Sequence, residues 1–338
     1  MIAVVSVPLV VFLILRYNRV MNPFIWSITV YKSDKVVQEI PHERVFIKPS
    51  LQASDVTDIQ AELVADPFLV IHDSITYLFF EVYNKVSEKG EIGFATSIDL
   101  ENWSYGQIVL DEKFHLSYPQ VFKYRDEFYM IPESIGAGKV LLYRAANFPY
   151  GWEVTQELIQ GKYVDPSVFQ YEDKWWMYAG TKGQLHLFYA NDLRGNWKEH
   201  KCSPINTHSI HVTRPGGRVV VDNNVIYRYM QEGTLNYGQS VHLFQITKLT
   251  EDEFEEIQMD TVLKGTDKKN DWRKDGMHHI DQLKLNNNQW LVAVDGHTSK
   301  RIHYILWKMD RLLSKIQYKI YKNKNSGRLH NYNFGDKK

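Results

Sequence analysis

The segment DPFLVIHDSITYLFFE (residues 66–81) recurs in altered form as YPQVFKYRDEFYMIPE (118–133), DPSVFQYEDKWWMYAG (165–180) and RPGGRVVVDNNVIYRY (214–229). In each copy a proline leads into an apolar run, a polar turn holding Asp or Asn follows, and an aromatic-rich run returns. The prolines stand at 67, 119, 166 and 215, which gives spacings of 52, 47 and 49 residues. A fifth copy, HIDQLKLNNNQWLVAVDG (279–296), keeps run, turn and run without the proline. Short β-branched and aromatic runs between polar turns read as strands, so each copy reads as a β-hairpin.

A related second hairpin follows. GFATSIDLENW (93–103), LYRAANFPYGW (142–152) and FYANDLRGNW (188–197) each run from a strand containing alanine to Trp103, Trp152 or Trp197, and LFQITKLTEDEF (243–254) is a degenerate fourth version. Two hairpins make four strands, and a period near fifty residues matches one propeller blade. The sequence therefore predicts an all-β, five-bladed β-propeller with four antiparallel strands per blade, over residues 24–312. Helical periodicity is nearly absent, and residues 304–322 are the one stretch left open.

Composition narrows the function classes. Of 338 residues, 40 are basic and 40 acidic, so no long-range field draws the chain to nucleic acid, and no nucleic-acid partner is expected. The single cysteine, Cys202, excludes an internal disulfide framework and any multi-cysteine metal site. Aromatics reach 14% of the chain. Because they recur once per blade (YLFF, FYM, WWMY and the loop-ending tryptophans), they read chiefly as packing between blades rather than as sugar platforms.

The two ends read differently. Residues 1–23 hold the apolar run IAVVSVPLVVFLIL (2–15), too short to span a bilayer as a helix, followed by Arg16 and Arg19. A short anchor giving weak membrane association, a buried strand and a truncated region all fit it. No basic stretch precedes the run and no small-residue cleavage site follows, so a cytoplasmic or membrane-associated protein is favoured over a secreted one. Residues 313–338 form a basic tail, expected to be solvated.

In a propeller the first strand of each blade lines the central channel. The residues opening those strands, Asp66, Tyr118, Asp165, Arg214 and His279 with Asp281, are therefore expected to converge on one funnel. Asp66 and Asp165 hold matching positions before a proline and can act as a base and an acid, or simply initiate their strands. Glu81 and Glu133 end equivalent second strands and can either hydrogen-bond a loop or reach the funnel rim. Arg214 places a permanent cation at the mouth, suited to a carboxylate or phosphate, or else paired with Asp165 or Asp66. His278, His279, Asp281, Asp295 and His297 make blade five polar. Hydrogen-bonded structure or substrate contact is preferred there over a metal ion near His279, and no cofactor is expected. HSIH (208–211) is a weak signal on its own.

The ordered set ADPFLV, LFFEV, GEIGFATSIDLENW, YPQVF, YMIPES, DPSVF, WWMYAG, RPGGRV and MHHID–VDGH resembles the N-terminal domain of glucosamine inositolphosphorylceramide transferases, over roughly Trp26 to Trp307. That domain belongs to the wider five-bladed superfamily of arabinanases, β-xylosidases, levansucrases and invertases. The resemblance implies a carbohydrate-active propeller. It would bind a glycan or glycolipid headgroup, an anionic one included, and serve as an accessory to glycan or glycolipid assembly. In the hydrolase branch, VADPF corresponds to the segment of the catalytic base, implying that role for Asp66. VDPSVF corresponds to the segment of the pKa-modulating Asp, implying that role for Asp165. The place of the general-acid Glu reads TRPGG, with Arg214, so Glu133 or Glu81 would have to substitute. The eukaryotic transferases carry a separate glycosyltransferase domain. About 30 residues follow the last blade here, so that activity is expected of a separate partner. The alternatives are a glycoside hydrolase or transglycosidase using Asp66 as base or nucleophile with Glu133 as a non-standard acid, and a protein-interaction propeller. In the glycan-binding reading Asp66, Asp165, Arg214, His279, Asp281, Glu81 and Asp295 are polar contacts, and Tyr118 or Trp175 a stacking surface.

Overall fold

The structure, a computed structural model, describes residues 19–205 and 211–329. The apolar run 2–15, His208 of the HSIH segment and the end of the basic tail lie outside the described residues. Five antiparallel sheets follow one another along the chain. Blade one comprises Ala61–His72, Ile75–Asn84, Lys89–Ser97 and Ser104–Leu110. Blade two comprises Ser117–Tyr124, Glu127–Glu133, Lys139–Asn147 and Tyr150–Gln160. Blade three runs from Val164–Tyr171 through Lys174–Thr181 and Gln184–Ala190 to the short Lys198–Glu199. In blade four the inner strand is broken into Arg214–Pro215 and Val220–Asp222, and Val225–Glu232, Ser240–Leu249 and Phe254–Lys264 follow. The five-bladed architecture expected from the repeat is present.

Blade five is composite. Its inner strands, Ile280–Lys284 and Trp290–Ser299, come from the fifth repeat, and its outer strands, Phe24–Ser33 and Leu51–Gln52, come from the start of the fold. Phe24 pairs with Ser299 and Ser33 with Trp290, so the ends of the propeller are zipped together along a full strand. A ring closed this way leaves no unpaired sheet edge at the seam.

Packing is organised between blades. Five hydrophobic clusters fill the five interfaces, each built from the facing sides of two neighbouring sheets. Phe79 and Phe94 of blade one meet Phe128 and Trp152 of blade two, and Phe169 and Tyr178 of blade three meet Ile226 and Phe244 of blade four. Trp175, expected as a stacking surface, lies in the interface of blades two and three, 5.6 Å from Phe122 and 5.1 Å from Tyr124. Its ring is mortar and does not face the funnel.

Residues Tyr304–Leu329 form one α-helix that crosses the 312/313 division drawn from the sequence. It lies against blade one through Arg311 and Glu62, Asp310 and Lys85, and Lys315 and Glu88.

Candidate functional site

The innermost strand of each blade has one side facing the channel, where no further strand can satisfy its N–H groups. Side chains of neighbouring blades supply the missing acceptors. Asp295 Oδ2 accepts from Asp66 N (3.0 Å), Asp66 Oδ2 from Tyr118 N (3.2 Å), and Glu133 Oε2 from Asp165 N (3.3 Å). One layer deeper, Asp281 Oδ2 accepts from Leu69 N (2.7 Å) and Gln120 Oε1 from Val168 N (2.7 Å). Carboxylates aimed inward are thus inter-blade clamps, whatever else they do.

The clamped residues share an unusual backbone. Asp66, Tyr118 and Asp165 have φ of 54°, 49° and 50°, a left-handed conformation that side-chain-bearing residues rarely adopt. Each precedes a proline, and the strand pairing slips beside each one, between Ala65 and Phe68, Ser117 and Gln120, and Val164 and Ser167. A bulge with a left-handed residue turns the side chain out of the strand's alternation and re-aims it. The Asp-Pro and Tyr-Pro pairs are therefore turning points at the channel mouth.

A cavity of about 470 Å³ opens at this end of the axis. Its walls carry Asp66, Glu81, Glu133, Arg214, His115 and His278, with Trp26, Tyr237 and Trp307 among the aromatics. Of the residues singled out in the sequence, Asp66, Glu81, Glu133 and Arg214 meet there. Asp165 lies just beneath, paired with Arg214 Nε at 2.6 Å, while Arg214 Nη2 reaches Glu133 Oε2 at 3.4 Å. The arginine keeps a third of its side chain exposed.

The others lie below the cavity floor. Tyr118 is fully buried and spans the channel, its hydroxyl donating to Gly217 O (2.8 Å) and accepting from Gly217 N (2.9 Å), so its ring offers no stacking face. Asp281 pairs with Arg218 Nε at 2.7 Å, and Arg218 also bonds the carbonyls of Leu69 and Val121. Asp295 accepts from His278 Nδ1 (2.9 Å) and His279 N (3.0 Å). His279 is fully buried against Phe68 and Tyr118, with ring centroids at 4.7 and 5.1 Å. The cavity wall carries His278 where the sequence pointed to His279.

Burial sets the protonation states. It pushes Asp66 up to about 7, with the nearby Asp295 and Asp165 charges adding and His278 opposing. Burial, reinforced by Asp66 and Glu133, holds Glu81 well above the ordinary carboxylate range, and burial with Asp165 does the same for Glu133. Burial thus biases both towards the protonated acid, a form able to donate as well as accept. Burial disfavours a charged His278, but its pairing with Asp295 outweighs that and raises its pKa. Burial lowers His115, and brings His279 down to about 4. His115 Nδ1 accepts from Gly90 N (2.8 Å), which leaves the proton on Nε2, 3.6 Å from Glu81 Oε1.

Asp66, His278 and Asp295 can each offer one ligand atom, all within 4.8 Å of one another. Asp295 is already engaged, taking three backbone N–H groups and the His278 imidazole, whereas Asp66 Oδ1 is buried without a hydrogen-bond partner among the described residues. The His278–Asp295 pair, together with the Asp66 N–H bond, ties blade five to blade one.

Several wall residues escaped the sequence reading. His115 and Ser117 stand three residues and one residue before the Tyr118 of the blade-two Tyr-Pro pair. Trp26, Tyr237, Trp307 and Arg311 come from the N-terminal strand, a blade-four loop and the helix, all outside the repeat. Trp26 stacks on His278 at 4.0 Å, and Tyr237 packs edge-on to His278 at 5.3 Å and under the Arg214 guanidinium at 5.4 Å.

The family model described as "Glucosamine inositolphosphorylceramide transferase 1, N-terminal" matches residues 25–297, from the strand that closes the ring to its partner strand in blade five. The chain belongs to this family. Glucosamine inositolphosphorylceramide transferase 1 of Oryza sativa subsp. japonica is 36% identical over 247 residues, covering 70% of this chain and 33% of that protein. The Arabidopsis thaliana protein of the same name is 32% identical over 295 residues, covering 80% of this chain and 39% of its own length. The chain thus spans little more than a third of these transferases. Among solved structures, an exo-1,5-α-L-arabinanase from a bovine ruminal metagenomic library superposes with a TM-score of 0.52 at 14% identity, over 72% of this chain and 94% of the other. The catalytic domain of the Coprinopsis cinerea GH62 α-L-arabinofuranosidase gives 0.53 at 13% identity, over 81% and 97%. These likenesses show that the chain shares its propeller fold with these glycoside hydrolases.

Proposed function

We propose that the protein binds a glycan or glycolipid headgroup in the axial cavity, as an accessory to glycan or glycolipid assembly. Family membership supports a carbohydrate-related role, and the relatives' name places them in glycosyl transfer to an inositolphosphorylceramide. The observation that carries the proposal is the composition of the cavity wall. Buried Glu81 and Glu133 give carboxyl groups for hydroxyls, Arg214 gives one partly exposed cation, and Trp26, Tyr237 and Trp307 give apolar faces for a sugar ring. Arg214 stands where the hydrolase branch has its acid and cannot protonate a leaving group at neutral pH. Its positive charge instead favours an anionic ligand, such as a phosphorylated or carboxylated sugar.

A second reading has one observation in its favour. Asp66, raised to about 7, and Glu133, which burial pushes up beyond the ordinary carboxylate range, open on the same cavity, in keeping with the division of labour of a base and an acid. A glycan array with parallel hydrolysis assays separates the two. Binding without turnover, weakened about tenfold in the Tyr237→Ala variant of the half-exposed rim tyrosine, supports the binding role. Turnover that disappears in Asp66→Asn while binding persists supports the hydrolase. Failure to bind any glycan overturns both.

A further inference from the structure

The C-terminal helix is amphipathic in the wrong sense for a helix docked on a protein. The face it turns to blade one is polar: Arg311 is buried against Glu62, Asp310 pairs with Lys85 at 3.1 Å, Lys315 with Glu88 at 2.9 Å, and Ser314 is buried. The opposite face is aliphatic. Leu306, Met309, Leu312, Leu313, Ile316 and Ile320 are each 43–58% exposed. At 100° per residue they share one arc of about 120°, the width of an apolar stripe that ordinarily faces a core. A continuous strip of this kind marks an interaction surface.

Charge indicates what covers it. Between Tyr304 and Leu329 stand seven basic residues (Lys308, Arg311, Lys315, Lys319, Lys322, Lys324 and Arg328) against one acid, Asp310. Lys308 and Lys319 border the aliphatic arc along one edge. Lysines beside an exposed aliphatic stripe are the pattern of a helix lying in a bilayer interface, with its stems in the headgroup region and its ammonium groups among anionic lipids. Among the described residues no helix is long and apolar enough to cross a membrane, which fits a helix that lies on the surface. The chain leading back to the apolar run 2–15 enters at the same place. Val20–Met21 pairs with Ile302–His303, and Tyr304 N donates to Arg19 O at 2.8 Å. The first described residues and the start of the helix thus meet at one edge of the propeller.

We propose that the outer face of this helix docks the propeller on an anionic lipid bilayer. Trp307 and Arg311, on the inner side of the helix, line the axial cavity. Docking therefore brings the cavity within about one helix diameter, ~10 Å, of the lipid surface. If the cavity takes a glycan, the ligand it meets there is the headgroup of a lipid still in its membrane. That consequence rests on the function proposed above; the docking itself does not.

The test is flotation of the full chain with vesicles of phosphatidylcholine alone and of phosphatidylcholine with phosphatidylserine. Wild type is expected to float with the anionic vesicles only. The exposed-face double variant Leu312→Asp/Ile316→Asp is expected to bind them about tenfold or more weakly, and Lys308→Glu/Lys319→Glu to lose the preference for anionic lipid. Unchanged thermal unfolding shows that both variants are folded, and unchanged binding of a soluble glycan separates this result from the function of the cavity. Variants that float like wild type overturn the proposal and assign the flotation to another part of the chain. Wild type that floats with neither vesicle overturns it as well. Self-association in sedimentation velocity that vanishes in the aspartate variant would assign the face to a second copy of the chain instead.

Discussion

Replacing Asp66 with asparagine should stabilise the protein, and by an amount that depends on pH. Asp66 Oδ2 accepts from Tyr118 N, whereas Oδ1 is buried without a hydrogen-bond partner among the described residues, 3.7 Å from His278 Nε2 and 3.6 Å from His279 Nδ1. Asparagine keeps the acceptor for Tyr118, tolerates the left-handed backbone, and places an uncharged NH₂ where the unpartnered oxygen stands. In the unfolded chain an aspartate ionises near pH ~4. In the fold it holds its proton to about 7, because burial opposes the charge. The folded state therefore binds more protons than the unfolded state between those values, and wild-type stability falls as pH rises through that window. At about 1.4 kcal/mol per pH unit over about three units the ceiling is ~4 kcal/mol, reached near pH 8 and constant above it. The Asp66→Asn variant lacks this dependence. Urea unfolding followed by tryptophan fluorescence, run on both proteins at intervals from pH 5 to 8.5, should show the variant's advantage widening towards pH 8. A gap that stays constant within about 0.5 kcal/mol across the range would refute the reasoning, since Asp66 would then titrate as an ordinary carboxylate.

Two further substitutions test the clamps across the channel. Tyr118→Phe removes a hydroxyl that bonds both polar groups of Gly217, and Ser167 Oγ remains to satisfy only the carbonyl. With one buried N–H left unpaired, a loss of about 2–3 kcal/mol in unfolding free energy is expected from urea denaturation, and a change under about 0.5 kcal/mol would show that water repairs the gap. Gly217→Ala should fail to fold or lose more than about 4 kcal/mol, measured by soluble yield and thermal unfolding. At φ 139° its Cβ would run into the carbonyl oxygen of Ile280, a backbone atom with no room to yield.

The number of blades and the role of the aromatics were legible because both rest on local properties repeated along the chain. Strand propensity, turn residues and a proline every fifty residues or so are written into each repeat separately. The helix at Tyr304–Leu329 was harder to read because its apolar residues do not face the protein, so its periodicity points away from the core that the pattern was expected to serve. The candidate site was half legible. Asp66, Glu81, Glu133 and Arg214 hold repeat positions and reach the cavity as expected. Tyr118, His279 and Asp281 hold comparable positions and are sealed beneath it. The left-handed residues before proline were not legible at all, since a residue preceding proline is ordinarily held in extended conformations, and only the clamping bonds from neighbouring blades hold it elsewhere.

The sequence alone determined five repeats, four of them with a second hairpin, packed through aromatic faces, with polar residues at the entry of each. Only the tertiary structure decided how the ring closes and what those residues do. Phe24 meets Ser299 because the circle must end where it began, a pairing to which no local signal in either strand points. Closure also brings the inner strands together around one axis, where their unpaired N–H groups need acceptors. Asp295, Asp66 and Glu133 supply them across the blade boundaries. Whether a carboxylate at the mouth becomes a clamp, a ligand contact or both depends on which N–H group of another blade it meets, and that is fixed by the closed ring rather than by the repeat.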